Sequence, residues 1–199
     1  MTENSNIPSI RFAGFTDPWE QRKAYEIFQI VDDRGYPDLP VLSAMQDQGM
    51  ILREDSGRYV GHDEGNENGY KRVLPGEFVI HLRSFQGGFA HSSVEGITSP
   101  AYTVLAIRDM EEHSDRFWKH WFMSERFINS LVTVTYGIRD GRSISVEEFM
   151  DTVVAFPSAK EQKSIASSID RLDDLITLHQ RKPHSHASRP DHLHHVIGW

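Results

Sequence analysis

Residues 158–182 read SAKEQKSIASSIDRLDDLITLHQRK, and the organisation of the chain follows from them. Ile165, Ile169, Leu172, Leu175, Ile176 and His179 recur at three- and four-residue spacing, a heptad-like stripe along one face of a helix. Ser158 stands in front of the run as an N-cap, and Glu161 three residues later completes the capping-box pattern. At the α-helical rise the segment spans roughly 37 Å. Its other faces carry five basic and four acidic residues. One helix cannot hide such a stripe alone, so it needs its own globular domain or another helix as partner. Pro183 then stops the helix, and residues 183–199 hold five of the eleven histidines. His-rich tracts can bind transition metals. No acidic or His partner elsewhere has ligand spacing, so this stretch reads as a disordered or aberrant tail and no metal site is expected.

Upstream, residues 1–157 read as one mixed domain. In 114–131 (SDRFWKHWFMSERFINSL), Phe117, Trp121, Phe122, Met123, Phe127, Ile128 and Leu131 mark an amphipathic helix behind a Ser114 N-cap. The aromatic stripe is expected to pack on a sheet. Residues 39–60 and 73–82 carry short apolar stretches cut by Gly, Pro and Asp, as strands joined by turns do. Pro75-Gly76 predicts a tight turn before a strand over Phe78–Leu82. SPAYTVLAI (99–107) is apolar on both faces, which predicts a central strand. Asp140-Gly141 reads as a turn, Glu147–Phe149 as a short helix, and Pro157 as the end of the domain. The expected class is α/β of the mixed α+β kind: a globular domain with a mixed sheet and packed helices, followed by a long spacer helix.

Apolar residues make up 38% and charged residues 25% of the 199, a globular composition. No apolar run approaches membrane-spanning length and the first residues lack a signal-peptide layout, so a cytoplasmic location is expected with no membrane partner. The absence of cysteine excludes disulfides and thiolate chemistry. Net charge is −8, the wrong sign for non-specific nucleic-acid binding. It is unevenly spread: residues 32–67 are acidic, whereas Lys71, Arg72, Arg83 and Arg108 outnumber Glu77 and Glu95 over 71–108. The phosphate-binding, nucleophile-elbow and zinc-protease motifs are missing. Phe12-Ala13-Gly14 and Asp17-Pro18-Trp19 echo methyltransferase motifs but lie too close together to sit on separate strands. Nothing in these residues argues for an enzyme.

Three stretches carry a family likeness: IRFAGFTDPWEQRK near the start, LPGEFVIHLRSFQGGFAHSSVEGITSPAYTVL in the middle, and FPSAKEQKSIASSIDRLDDLITLHQRK at the close. Together they span most of residues 10–182 and resemble the specificity subunit of type I restriction-modification systems. The last is the most specific. The resemblance implies a target-recognition domain over 1–157 that reads half of a split DNA sequence, a spacer or dimerisation helix over 158–182, and a non-catalytic subunit. Adenine methylation would belong to methyltransferase subunits and cleavage to motor-nuclease subunits. S-adenosylmethionine, ATP and Mg would be cofactors of those partners and not of this chain. The family's complete subunit has two recognition domains and two helices, whereas this chain has one of each. That points either to a homodimer acting in place of one complete subunit or to a truncated product. The alternative is a fragment or decoy that only binds the methyltransferase through its helix.

On that reading the partner is double-stranded DNA, and candidate contacts are polar or basic residues beside flexible backbone. Arg83, Ser84, Gln86 and Gly87 follow a strong strand; Arg can pair with guanine, Gln with adenine, and glycines permit close approach. Lys71 and Arg72 are phosphate candidates. Arg139 and Arg142 flank the Asp140-Gly141 turn. His91, Ser92 and Ser93 form a weaker set. The subunit interface is assigned to Ile165, Ile169, Leu172, Leu175, Ile176 and His179.

Overall fold

A computed structural model describes residue 8 and residues 10–45, 48–57, 64–81, 88–130, 135–136 and 143–180. The first half contains β1 (Glu20–Lys23), α1 (Ala24–Ile27), β2 (Phe28–Val31), β3 (Leu42–Met45), β4 (Gly49–Leu52), β5 (Lys71–Val73), β6 (Phe78–Ile80), β7 (Phe89–His91) and β8 (Gly96–Thr98). The second contains β9 (Thr103–Ile107), α2 (Asp115–Met123), α3 (Glu125–Ser130), β10 (Thr135–Tyr136), β11 (Ser143–Ile144), α4 (Val146–Asp151), β12 (Val153–Phe156) and α5 (Ala159–Gln180).

The strand expected over 99–107 forms as β9 and lies inside a four-stranded sheet of order β2-β9-β6-β7. Alternation puts its apolar residues to use on both faces. Leu105 and Ile107 join Phe28, Phe78, Ile80 and Phe89 in one core under the helices. Val104, with Val79 and Ala90, joins Leu42, Met50 and Val73 in a second core on the other face. The expected α+β architecture stands. The pairing of the named strands is antiparallel throughout, and among the described residues parallel contact is confined to the isolated bridges Val41↔Ile97 and Met50↔Ser92.

The aromatic stripe of 114–131 packs on the sheet as expected. Phe122 stacks on Phe89 at 4.4 Å and meets Phe78 edge-on at 5.0 Å. The single helix expected there is two, because Ser124 is extended (ψ 141°) and uses its hydroxyl twice. Ser124 Oγ donates to Trp121 O and accepts from Phe127 N, ending α2 and starting α3. Ser114 caps α2 by accepting from Phe117 N, and Ser145 likewise caps α4 from Glu148 N. At Pro75-Gly76, Glu77 N–H donates to Leu74 O at 3.1 Å and Gly76 adopts φ 90°, as a type II turn demands.

Helix α5 is tied to the domain by two residues of its first turn. Gln162 is fully buried and uses its whole amide: Oε1 accepts from Ser114 N at 2.9 Å, while Nε2 donates to Glu112 O at 3.1 Å and Pro157 O at 2.9 Å. Glu161, expected to close a capping box, sends both carboxylate oxygens to Arg11 Nε and Nη2 at 2.9 and 2.5 Å across 150 residues. Behind them Ala166 is buried and Ile165 packs against the aromatic core.

Gln162→Leu would leave one N–H and two carbonyls without their buried partner. It should lower unfolding stability by about 2–4 kcal/mol in urea denaturation.

His113 is 2% exposed, with its ring 4.8 Å from that of Phe156 and 5.8 Å from that of Trp118. Burial pushes its pKa below the ordinary histidine value of 6.5, so the native state keeps it neutral while the unfolded chain takes up the proton. Stability is therefore lost as pH falls below about 6.5. The stability difference between His113→Phe and wild type should move in the variant's favour between about pH 7 and pH 5, with a pH-independent difference excluding this titration.

Candidate nucleic-acid interface

The loop candidates are bounded by paired strands. Ile80 pairs with Phe89, so residues 81–88 connect two adjacent antiparallel strands; Arg83, Ser84, Gln86 and Gly87 fall outside the described residues. Tyr136 pairs with Ser143 in the same way, and Arg139 and Arg142 between them also lie outside the described residues.

Lys71 and Arg72 both have partners inside the fold. Lys71 is 9% exposed and its Nζ donates to Tyr102 O at 2.7 Å. Arg72 donates through Nε and Nη2 to Glu95, approaches Asp33 at 3.5 Å, and lies over the ring of Tyr36 at 4.5 Å. A phosphate reaching either cation would have to displace these partners. The excess of positive charge counted along 71–108 is thus largely spent on nearby acceptors, two of which, Asp33 and Tyr36, come from outside that stretch.

His91, Ser92 and Ser93 line a cleft of about 410 Å³ together with Pro75-Gly76, Arg116, Lys119 and Asp170. Gly49 makes this wall, since a Cβ there would sit 2.3 Å from His91 O and its φ is +75°. His91 Nε2 lies 2.9 Å from Asp115 Oδ2. That hydrogen bond holds the Asp115 carboxyl below the usual carboxylate range against the opposing effect of burial. Across the cleft, Asp170 of α5 pairs with Arg116 and lies 2.8 Å from His120 Nε2. His120, Asp170 and Asp173 bring ligand-type atoms within 4.8 Å of one another, although Arg116 already supplies a cation to Asp170. Sequence reading missed Arg116, Lys119 and Asp170 because each looks like an ordinary polar position of an amphipathic helix; only the packing of α2 against α5 unites them.

The interface stripe is divided by the same packing. Ile165 and Ile169 are partly covered by the domain, whereas every residue of 171–180 is exposed. Leu172, Leu175, Ile176 and Leu178 remain 55–60% accessible, and His179 is exposed with them. No element of the described residues covers this row.

By sequence the chain matches no protein-family model and no curated protein. By fold it matches the specificity, or S, subunit of type I restriction-modification systems. The S subunit from M. genitalium aligns at TM-score 0.56 and 14% identity, over 87% of this chain and 44% of its own length. The HsdS subunit from Thermoanaerobacter tengcongensis aligns at TM-score 0.52 and 14% identity, over 87% and 43%. A chain from a type I R-M system, solved for its complex assembly and conformational transition, aligns at TM-score 0.56 and 14% identity, over 85% and 42%. This chain has the S-subunit fold and spans less than half the length of the solved chains it matches.

The divided stripe makes two substitutions behave differently. Ile165→Asp should cost the isolated chain about 2–4 kcal/mol, because the carboxylate enters the aromatic core. Leu172→Asp should change its stability by less than about 0.5 kcal/mol. Urea denaturation followed by circular dichroism separates them.

Proposed function

We propose that this chain is a DNA-reading subunit of a type I restriction-modification assembly. The observation that carries the proposal is an S-subunit fold over 85% or more of the chain, joined to a helix whose far half offers an uncovered apolar row. In this reading the chain catalyses nothing and selects the DNA sequence. Methyltransferase subunits bind beside the helix, methylate adenine using S-adenosylmethionine, and a motor-nuclease subunit uses ATP and Mg. Arg83, Ser84, Gln86, Gly87, Arg139 and Arg142 are the proposed base-reading set. Support for them is their position between paired strands, since a rigid scaffold presenting variable loops suits sequence readout.

The helix supports an assembly in which two copies pair antiparallel through Leu172, Leu175 and Ile176, giving a two-fold axis. Two identical readers about one turn of B-DNA apart would then select an interrupted palindrome. Charge favours a second reading. With net charge −8 and Arg22, Arg34 and Arg72 paired to carboxylates, the chain could bind only a methyltransferase subunit and act as a decoy.

Fluorescence anisotropy on duplex DNA with the methyltransferase subunit, in the presence and absence of this chain, distinguishes the two. DNA-reading requires that the chain confer binding, and that methylation mapping then return one bipartite target. Arg83→Ala should weaken the cognate duplex by about 1–3 kcal/mol and a scrambled duplex much less. Assembly with the methyltransferase but no gain in DNA affinity establishes the decoy.

A further inference from the structure

Among the described residues, the solvent-facing cations that the fold leaves unpaired lie on its helices. On the sheet side and at the chain's start, Arg22, Lys23, Arg34, Lys71, Arg72 and Arg108 are each held by a carboxylate or a carbonyl. Arg53 Nη1 is buried and has no partner among the described residues. By contrast Lys119 on α2, Arg126 on α3, and Lys160, Lys163 and Arg171 on α5 make no hydrogen bond or ion pair through their side chains among the described residues. An anion of high charge density gains most from donors that have no internal acceptor to give up.

One of these cations, Lys119, lines the cleft beside β7. Lys119 lies one turn after Arg116 on α2, and both line the cleft. Arg116 remains 60% exposed at its side chain, so the pair with Asp170 leaves guanidinium N–H groups facing outward. Ser93, exposed two residues after β7, adds a hydroxyl to the same wall. The cleft's two carboxylates are already engaged, Asp115 by His91 and Asp170 by Arg116 and His120. Lys163 precedes Asp170 by seven residues, two turns of α5, which places it about 10.5 Å away along the same flank. The acids Asp173 and Asp174 lie beyond Asp170 toward the free end of the helix. Lys119, Lys163 and Lys160 therefore place uncommitted positive charge from the cleft toward the start of α5, while Arg171 stands among the acids beyond Asp170.

We infer that the sugar-phosphate backbone of duplex DNA crosses this cleft, with Lys119 and Lys163 contacting phosphates and Arg116 and Ser93 donating beside Lys119. The inference rests on the DNA-reading proposed above and adds the surface that orients the duplex. Phosphate contacts position a protein on DNA without reading sequence. A backbone track along α2 and the docked half of α5 would let the overall acidic chain hold DNA through a few uncommitted lysines while its loops reach the bases.

The test is the salt dependence of binding to a mixed-sequence 40-bp duplex by the full chain with its methyltransferase subunit. Lys119→Gln and Lys163→Gln should each reduce the slope of log affinity against log salt by about 0.9, the double variant by about twice that, with equal weakening on cognate and scrambled duplexes. Arg22→Gln removes the same charge from a paired side chain and should leave the slope unchanged. Wild-type binding with unaltered slopes in both lysine variants overturns the track and leaves the DNA-reading proposal standing. An equal change from Arg22→Gln reduces the effect to net charge and also overturns the track. If the wild-type complex gains no DNA affinity from this chain, the DNA-reading proposal fails and the track with it.

Discussion

The buried amide of Gln162 is the point at which helix and domain become one body. It spans the start of α2, the segment before that helix, and the residue that follows β12, and each of its three hydrogen bonds goes to backbone. Beside it the Arg11–Glu161 pair fastens the chain's first described segment to the same turn of α5. Buried polar groups are costly unless every partner is met, and a fully satisfied network rigidifies the elements it joins. The direction in which α5 leaves the domain is set by that arrangement rather than by a flexible link. The opening and closing stretches of sequence, so far apart along the chain, meet at Arg11 and Glu161.

Beneath this clasp the sheet separates two kinds of packing. Its helix side is filled by aromatic rings, with Phe122 touching Phe28, Phe78, Phe89, Phe127 and Phe149. Its other side is filled by smaller aliphatic residues under the β3-β4 ribbon. Rings of this size dominate the burial and prefer edge-on or offset contacts, so the α2–α3 pair is held in register with the sheet. The polar consequences follow that register. His91 reaches Asp115 and His120 reaches Asp170, so α2 is tied near its start to the sheet edge and near its end to α5.

The division of charge is a consequence of the same architecture. Strand ribbons on the sheet side bring acidic and basic residues opposite one another, as where Arg72 meets Glu95 and Asp33, and neutralise them locally. The helices carry lysines that find no acceptor among the described residues, so those charges stay available. Net charge alone therefore says little about where an acidic protein can meet a polyanion; what matters is which cations the fold has already used.

Much of this was legible in the order of residues. The two-sided strand at 103–107, the capped aromatic helix, the Pro75-Gly76 turn and the long terminal helix are local features, determined by periodicity and by backbone preferences that act over a few residues. The break at Ser124 was not, because a serine within an apolar period looks the same whether its hydroxyl faces solvent or captures the backbone. Nor was the division of the α5 stripe, since Ile165 and Leu172 occupy equivalent positions in sequence and differ only in whether the domain lies beneath them. The fate of Lys71 and Arg72 and the union of Arg116, Lys119 and Asp170 were likewise decided by contacts between distant elements. Sequence alone determined which segments would be apolar, helical or extended. Tertiary structure decided which polar groups are consumed in holding those segments together and which remain for a partner, because a charge is free or committed only with respect to neighbours that folding supplies.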